Sequence, residues 1–252
     1  MKAGTFAALV VCLAAAALCV RLGVWQVSRW HEKQARNLAL RSALAAEPVK
    51  VTDPLPGLAA IEDRRIEVFG TFDESRQVLL SAREQAELPG VEVVTPLLLP
   101  GDSAAILVNR GWLYAPDGVH ARPQEFREHG PRAVRGIARA MDRRGAGLPY
   151  FTLEKDTSHA LWSARTLDPD TLAIRFPYAL ARWFLLELPG KGVPEKPLRS
   201  PPRPLDETMN LSYAIQWFVF AAILLTGSLA FAWSRRSVRP RRPVRPPLEP
   251  LG

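Results

Sequence analysis

The residue types that carry most enzyme chemistry are few in this chain. The four histidines have no metal-ligand spacing between them; they are His31, His120, His129 and His159. Ser158 precedes His159, but a catalytic triad is defined by geometry that a sequence does not supply. The sequence has no C-x-x-C, H-E-x-x-H or Walker motif and no strand-borne G-x-G-x-x-G. We therefore predict neither a metal site nor a nucleotide site.

Three carboxylates are the best candidates for acid-base chemistry. Asp168 and Asp170 flank Pro169, and Glu187 ends an apolar run. Asp168-Pro169 is, however, the usual start of a helix, with an aspartate N-cap and proline in the first turn. A membrane-anchored periplasmic enzyme is thus the least favoured hypothesis, and we predict no catalytic residue.

A polar and aromatic stripe begins the apolar segment near the C terminus. Its members recur at helical spacing and so share one helix face; they are Asn210, Tyr213, Trp217 and Phe220. Gln216 stands beside them, and Trp25-Gln26 ends the first apolar segment. An aromatic belt at the membrane surface explains the rings. A packing site for a helix or a flat ligand also explains them, because a glutamine in lipid needs a partner.

Two apolar segments must position these residues. Ala3–Val20 is one, and Leu211–Trp233 has no charge over 23 residues. At a rise of 1.5 Å per residue, a helix of that length crosses a hydrocarbon core of roughly 30 Å. Cys12 and Cys19 both lie in the first segment, where packing or lipid contact is the expected role. The sequence predicts two membrane spans.

Charge predicts their orientation. The net charge is +8, and residues 234–252 supply +5 of it through six arginines against Glu249. The arginines are Arg235, Arg236, Arg239, Arg241, Arg242 and Arg245. A dense basic segment next to a span stays in the cytoplasm, so both termini are expected there and the central domain outside. A tail of this kind does not indicate a nucleic-acid partner. No Arg-rich, Ser-rich presequence precedes the first span, which favours a bacterial plasma membrane.

Short β-type runs fill the region between the spans, and glycine or proline bounds most of them. The runs are 66–69, 77–80, 91–95, 106–108, 133–137 and 183–188. A short helix is expected near Asp168–Ala173. The predicted fold is an α+β membrane protein, with two transmembrane helices flanking a mostly antiparallel β extracytoplasmic domain.

The predicted division of the chain has five parts. They are the first transmembrane helix (1–27), the extracytoplasmic domain (28–188), a proline-rich linker (189–209), the second transmembrane helix (210–233) and a basic cytoplasmic tail (234–252). Six prolines between residues 189 and 204 make the linker extended and semi-rigid.

Several short segments, taken in order, resemble the Surf1/Shy1 family of cytochrome oxidase assembly proteins. They are Gly23-Val24-Trp25-Gln26-Val27-Ser28-Arg29 with Lys33, Val68-Phe69-Gly70-Thr71-Phe72, Gly90 with Thr95-Pro96-Leu97, Val108-Asn109-Arg110-Gly111-Trp112, Trp162 with Asp168-Pro169, and Tyr213-Ala214-Ile215-Gln216-Trp217-Phe218. The resemblance extends over nearly the whole chain up to Trp233.

The resemblance implies a role in the maturation of a haem-copper cytochrome c oxidase. It implies haem a as a candidate cofactor, cytochrome oxidase subunit I or other assembly factors as partners, and no enzymatic activity. The family's haem-binding histidine stands before the Leu-x-Tyr-Ala segment, where this chain has Asn210. An amide oxygen is a weak ligand for haem iron, so axial ligation does not carry over.

Three accounts of haem follow from that substitution. Another group ligates the iron, or haem a stacks on Tyr213, Trp217 and Trp25 without an axial bond, or the protein assists assembly as a scaffold that binds no haem. The two Trp-Gln pairs would lie at similar depth, and a flat amphiphile with an apolar tail fits between them.

Overall fold

The computed structural model describes residues 3–51, 56–101, 104–142, 150–155 and 159–236. The chain divides into two compact units, one built from the two long helices (up to Leu38 and from Pro204) and one formed by Ala39–Arg203. The predicted tail lies outside the described residues from position 237 onward, as does Ser158.

The first unit contains α4 (Thr208–Arg236) and most of α1 (Ala3–Ala45). Their apolar windows have mean hydropathies of 2.4 and 1.9, and few of the side chains in them are buried. Length and composition thus suit both helices to crossing a membrane, whereas a helix in a soluble core would be mostly buried. The prediction of two apolar helices is confirmed, and α1 continues without a break beyond the length that a bilayer needs.

Small residues let these helices approach closely. Ala16 and Gly23 of α1 are buried, as are Ala214 and Ala221 of α4. A Cβ atom on Gly23 would lie 2.8 Å from Cε1 of Phe218, so the ring packs directly on the glycine. Close approach through glycine and alanine is the usual way to pair helices in lipid, where van der Waals contact supplies much of the driving force.

The second unit is built on nine strands within the described ranges. They are β1 (Val49–Val51), β2 (Arg65–Phe72), β3 (Arg76–Gln85), β4 (Leu88–Leu98), β5 (Ala104–Tyr114), β6 (Arg132–Ala140), β7 (Phe151–Lys155), β8 (Ala160–Ala164) and β9 (Ala179–Glu187). Short helices α2 (Leu58–Ile61) and α3 (Pro169–Ala173) and a 3₁₀ turn (Pro123–Phe126) connect them. All six predicted β runs fall on strands, while β1, β7 and β8 were not predicted.

Five of the strands close on themselves. Pairing runs from β2 through β6, β9, β5 and β4 back to β2, where Thr71 lies opposite Leu98 and Phe72 opposite Leu97. The strands β3, β8 and β7 extend the sheet outward from β4. Pairs β1–β2, β3–β8 and β5–β9 are parallel and the other described pairs are antiparallel, which confirms the mostly antiparallel α+β prediction.

Alternation along the strands fills the barrel. Ile66 and Val68 of β2, Ile106 and Val108 of β5 and Leu185 of β9 are fully buried in one apolar cluster. Because side chains alternate between the two faces of a strand, residues two positions from Val108, Val134 and Leu185 lie on the same side. These residues are Arg110 of β5, Arg132 of β6 and Glu187 of β9. That register decides which polar residues enter the barrel.

Helix α3 forms as predicted. The Asp168 carboxylate accepts a hydrogen bond from the Thr171 N–H at 3.1 Å, and Pro169 occupies the first turn. This capping interaction holds the pKa of Asp168 below its ordinary value, chiefly through the hydrogen bond from the Thr171 side chain.

Candidate functional site

The predicted membrane-edge residues lie where α1 and α4 pack together. Asn210 Nδ2 donates to Gln26 Oε1 at 2.6 Å, so the two amides join the helices. The second polar atom of Asn210, Oδ1, is buried without a hydrogen-bond partner among the described residues. Asn210 therefore connects the two helices through its side chain.

The three predicted aromatic residues do not gather into one cluster. Trp25 is 54% exposed and Tyr213 is 48% exposed on the helix surface. Trp217 is half-buried and meets Phe220 edge-on at 6.0 Å between ring centroids. The described ring pairs do not join Trp25 to Trp217. Stacking faces are thus available at Trp25 and Tyr213, but Asn210 fits haem iron poorly because its amide is engaged with Gln26.

Asn37 forms a second polar junction within the same unit. Its Oδ1 accepts from the N–H of Leu205 at 2.8 Å, and its Nδ2 donates to the carbonyl of Leu205 at 2.9 Å. The same nitrogen reaches a carboxylate oxygen of Glu207 at 2.5 Å. The amide of Asn37 thus pairs with both the N–H and the C=O of Leu205, as a neighbouring strand would. These bonds hold the segment that leads into α4 against α1.

The largest fully buried side chain among the described residues is an arginine inside the barrel. Arg110 follows Ile106 and Val108 in the inward register of β5 and is 0% exposed. All five of its N–H donors find acceptors. These are the Glu128 carboxylate (3.1 and 2.8 Å), Glu74 (2.9 Å), the Thr95 hydroxyl (3.3 Å) and the carbonyl of Phe126 (2.5 Å).

Two more arginines and a third glutamate complete the cluster. Arg132 of β6 and Glu187 of β9 enter from the same inward register and pair with each other. Arg199 contacts Glu187 and Glu128 and is only 5% exposed, although it belongs to the predicted linker. We call these six residues the ionic cluster: Glu74, Arg110, Glu128, Arg132, Glu187 and Arg199. Its formal charges sum to zero.

The ionic cluster meets the apolar core through one ring. The guanidinium of Arg110 lies 5.0 Å and that of Arg132 5.3 Å from the centroid of Phe72. Cation–π contact at these distances is favourable where water is excluded. Phe72 therefore separates the charged end of the barrel interior from its aliphatic part.

The pKa values of two carboxyl groups in the cluster, Glu128 and Glu187, are shifted in opposite directions. Burial opposes ionisation of Glu128, but Arg110, Arg199 and Arg132 outweigh it and hold its pKa below the ordinary value. Burial raises the pKa of Glu187 above its ordinary value, and Arg199 and Arg132 offset this only in part. Negative charge is thus held preferentially on Glu128.

The carboxylates considered for acid-base chemistry have structural partners. Asp168 caps α3, Asp170 accepts from Arg182 at 2.7 Å on the surface, and Glu187 belongs to the ionic cluster. Across the described ranges, no group of three histidine, cysteine or acidic side chains is arranged to hold a metal ion.

Sequence reasoning missed most of the ionic cluster. The sequence places Arg110 within a motif and Arg199 in the proline-rich linker, and neither position predicts an ion pair. A usable signal exists in β9, where burial alternates along the strand up to Glu187. In β5 every residue from Ala105 to Gly111 is buried, so alternation does not single out Arg110. Glu74, Glu128 and Arg199 lie outside the strands, and nothing local in the sequence indicates that they are buried.

The comparisons with known proteins agree with this architecture. A model of the SURF1 family matches residues 13–222, which cover most of α1, about half of α4 and the whole β unit. A SURF1-like protein of Monosiga brevicollis is 28% identical over 216 residues, covering 81% of this chain and 79% of that protein. Surfeit locus protein 1 of Rattus norvegicus is also 28% identical, over 236 residues, 86% of this chain and 72% of that protein. The chain therefore belongs to the SURF1 family.

Proposed function

We propose that this protein is an assembly factor for a haem-copper cytochrome c oxidase and that it assists the maturation of subunit I at the membrane. The observation that supports the proposal is the family match over residues 13–222, which takes in the helix pair and the barrel together. The role is that of a binding partner and not of an enzyme. The three carboxylates considered for acid-base chemistry act as a helix cap or as members of ion pairs.

The contact between Asn210 and Gln26 favours a scaffold. An axial ligand must present a free donor atom to iron. Here the amide of Asn210 is bonded to Gln26 at 2.6 Å, and its remaining oxygen is buried in the helix pair. The protein then assists subunit I without ligating haem iron through residue 210.

Haem a held by stacking is the second candidate. The exposed rings of Trp25 and Tyr213 favour it, because a flat macrocycle gains area on an aromatic face with its tail in lipid. Trp217 would add a third ring from the same helix as Tyr213. No iron ligand is assigned in this arrangement.

The proposed location is a bacterial plasma membrane, with both termini in the cytoplasm and the β unit outside. Two apolar helices support membrane association. The arginine-rich sequence that follows α4 supports the orientation by the positive-inside rule.

The test begins with a host strain from which the gene is deleted. We expect the strain to lose assembled oxidase, measured by its reduced-minus-oxidised absorbance in membranes, and the full chain to restore it. Subunit I should co-purify with the tagged chain. Normal oxidase in the deletion strain would disprove the assembly role.

The absorbance spectrum of the purified protein distinguishes the scaffold from the haem-stacking candidate. A colourless protein that still carries subunit I is the result expected for the scaffold. A Soret band that is lost in the double variant Trp25→Ala, Tyr213→Ala would support stacking. The control is Phe6→Ala, which removes another exposed ring from the helix surface.

A further inference from the structure

A cavity of about 780 Å³ lies in the β unit beside the end of β5. Trp112, Tyr114 and Phe126 form its aromatic wall, and the opposite wall is the proline-rich segment from Pro189 to Leu198. Volumes of this size are typical of binding sites. We call this cavity the β5 groove.

One edge of β5 is already used by an extended segment. Trp112 donates to the carbonyl of Leu198 at 3.0 Å, and Leu198 donates back to the carbonyl of Trp112 at 2.8 Å. This antiparallel bridge is isolated, since no neighbouring residue pair continues it in the described chain. The Leu198 bridge is therefore an example of how an extended backbone binds this edge of β5.

The same edge continues unpaired at Tyr114. Backbone groups of residues two apart in a strand point to the same side, so the N–H and C=O of Tyr114 face the groove as those of Trp112 face Leu198. On the other edge, Ala115 N–H bonds to Pro89 and continues the ladder with β4. No described backbone hydrogen bond joins Tyr114 to the segment before Leu198.

The side chains of the groove indicate what kind of molecule enters it. Tyr114 is 55% and Leu198 is 42% exposed, so both present apolar surface at the groove. Two cations and two anions line the groove, and their formal charges cancel: Arg122, Glu125, Glu195 and Lys196. Arg199 also reaches the groove, but it is bonded within the ionic cluster. The groove thus combines aromatic and apolar walls with charged side chains whose formal charges balance.

We propose that the β5 groove binds an extended, apolar segment of the client subunit, which pairs with β5 at Tyr114 as Leu198 pairs at Trp112. A peptide supplies the donor and acceptor that complement the free N–H and C=O of Tyr114, whereas an acyl chain supplies neither. Its side chains then fill the space between Tyr114, Phe126 and Val193. This inference rests on the proposed function for the identity of the client.

The test places a photocrosslinker in the groove of the full chain in host membranes. p-Benzoylphenylalanine replaces Tyr114 in one variant and Phe69 in the control, because Phe69 is an equally exposed aromatic residue on β2. We expect light-dependent crosslinks from position 114, but not from position 69, to an extracytoplasmic segment of subunit I, located by mass spectrometry.

A binding titration provides the second measurement. Synthetic peptides that cover the extracytoplasmic segments of the host's subunit I are added to the purified full chain in detergent. We expect Tyr114→Ala to weaken binding of the crosslinked peptide about tenfold or more, as for an aromatic anchor at the centre of an interface. Circular dichroism checks that the variant is folded.

The inference and the proposed function fail in different ways. Crosslinks only to lipid or to a second copy of this chain, or no crosslink at all, in cells whose oxidase is fully assembled would overturn the groove inference and leave the function standing. A full chain that does not restore oxidase in the deletion strain would instead remove the function on which the client's identity rests.

Discussion

At the scale of single residues, substitutions in the ionic cluster are expected to lower the free energy of unfolding most. Arg110 is fully buried, and removal of one partner from such a pair costs about 3–5 kcal/mol because it leaves an uncompensated charge. Replacement of the whole cluster by apolar residues would not cost as much. The cluster instead specifies geometry, because its ion pairs form only when the three charged strand residues and Arg199 come together in one arrangement.

The opposite pKa shifts of Glu128 and Glu187 predict opposite pH dependences. The folded pKa of Glu128 lies below the ordinary 4.5, so the unfolded chain binds more protons below about pH 4.5 and the free energy of unfolding falls as pH falls. Glu128→Gln should therefore reduce the fall in the free energy of unfolding at low pH. The measurement is urea unfolding of the full chain in detergent between about pH 3 and 7.

Glu187→Gln is the matched control from the same cluster. The pKa of Glu187 is raised, so its contribution is fully present below pH 4.5 and is lost as pH rises through the folded pKa. In this variant the free energy of unfolding should depend less on pH above pH 4.5. Below pH 4.5 it should still fall steeply as pH falls. Identical slopes for both variants would contradict the assigned directions.

At the scale of elements, closure of the barrel requires a glycine where β2 meets β4. A Cβ atom at Gly70 would lie 2.3 Å from the carbonyl oxygen of Leu98, where β2 passes from β6 to β4. A backbone atom cannot move aside as a side chain can. Another residue at this position must therefore separate β2 from β4.

Gly70→Ala is predicted to destabilise the β unit by about 3 kcal/mol, the upper range for overpacking. Gly57→Ala is the control, because nothing lies within 4 Å of its Cβ position and its φ of −64° suits alanine. The control should change the free energy of unfolding by less than about 0.5 kcal/mol. Equal loss in both variants, measured by urea unfolding, would show that closure does not require Gly70.

At the scale of the whole molecule, charge is concentrated near the C terminus. The segment 234–252 supplies +5 of the net +8, so the remaining sequence is close to neutral. Basic residues next to a span are retained in the cytoplasm. The orientation of the protein should follow from this asymmetry.

Cysteine labelling tests that orientation. With Cys12 and Cys19 replaced by alanine, Glu125→Cys should react with a membrane-impermeant maleimide added to intact spheroplasts, since the Glu125 side chain is 56% exposed. Ser237→Cys should react only after lysis. Labelling of Ser237→Cys from outside would invert the proposed topology.

The sequence by itself determined the two apolar helices, the six longest strand regions, the Asp168 cap and the family. These features follow from runs, alternation and spacing, which are local properties of the chain. The strand order, the closure at Gly70, the burial of Arg199 and the contact between Asn210 and Gln26 were decided only by the tertiary structure. Each of them joins residues far apart in sequence, whose encounter depends on how the whole chain packs and leaves no local pattern.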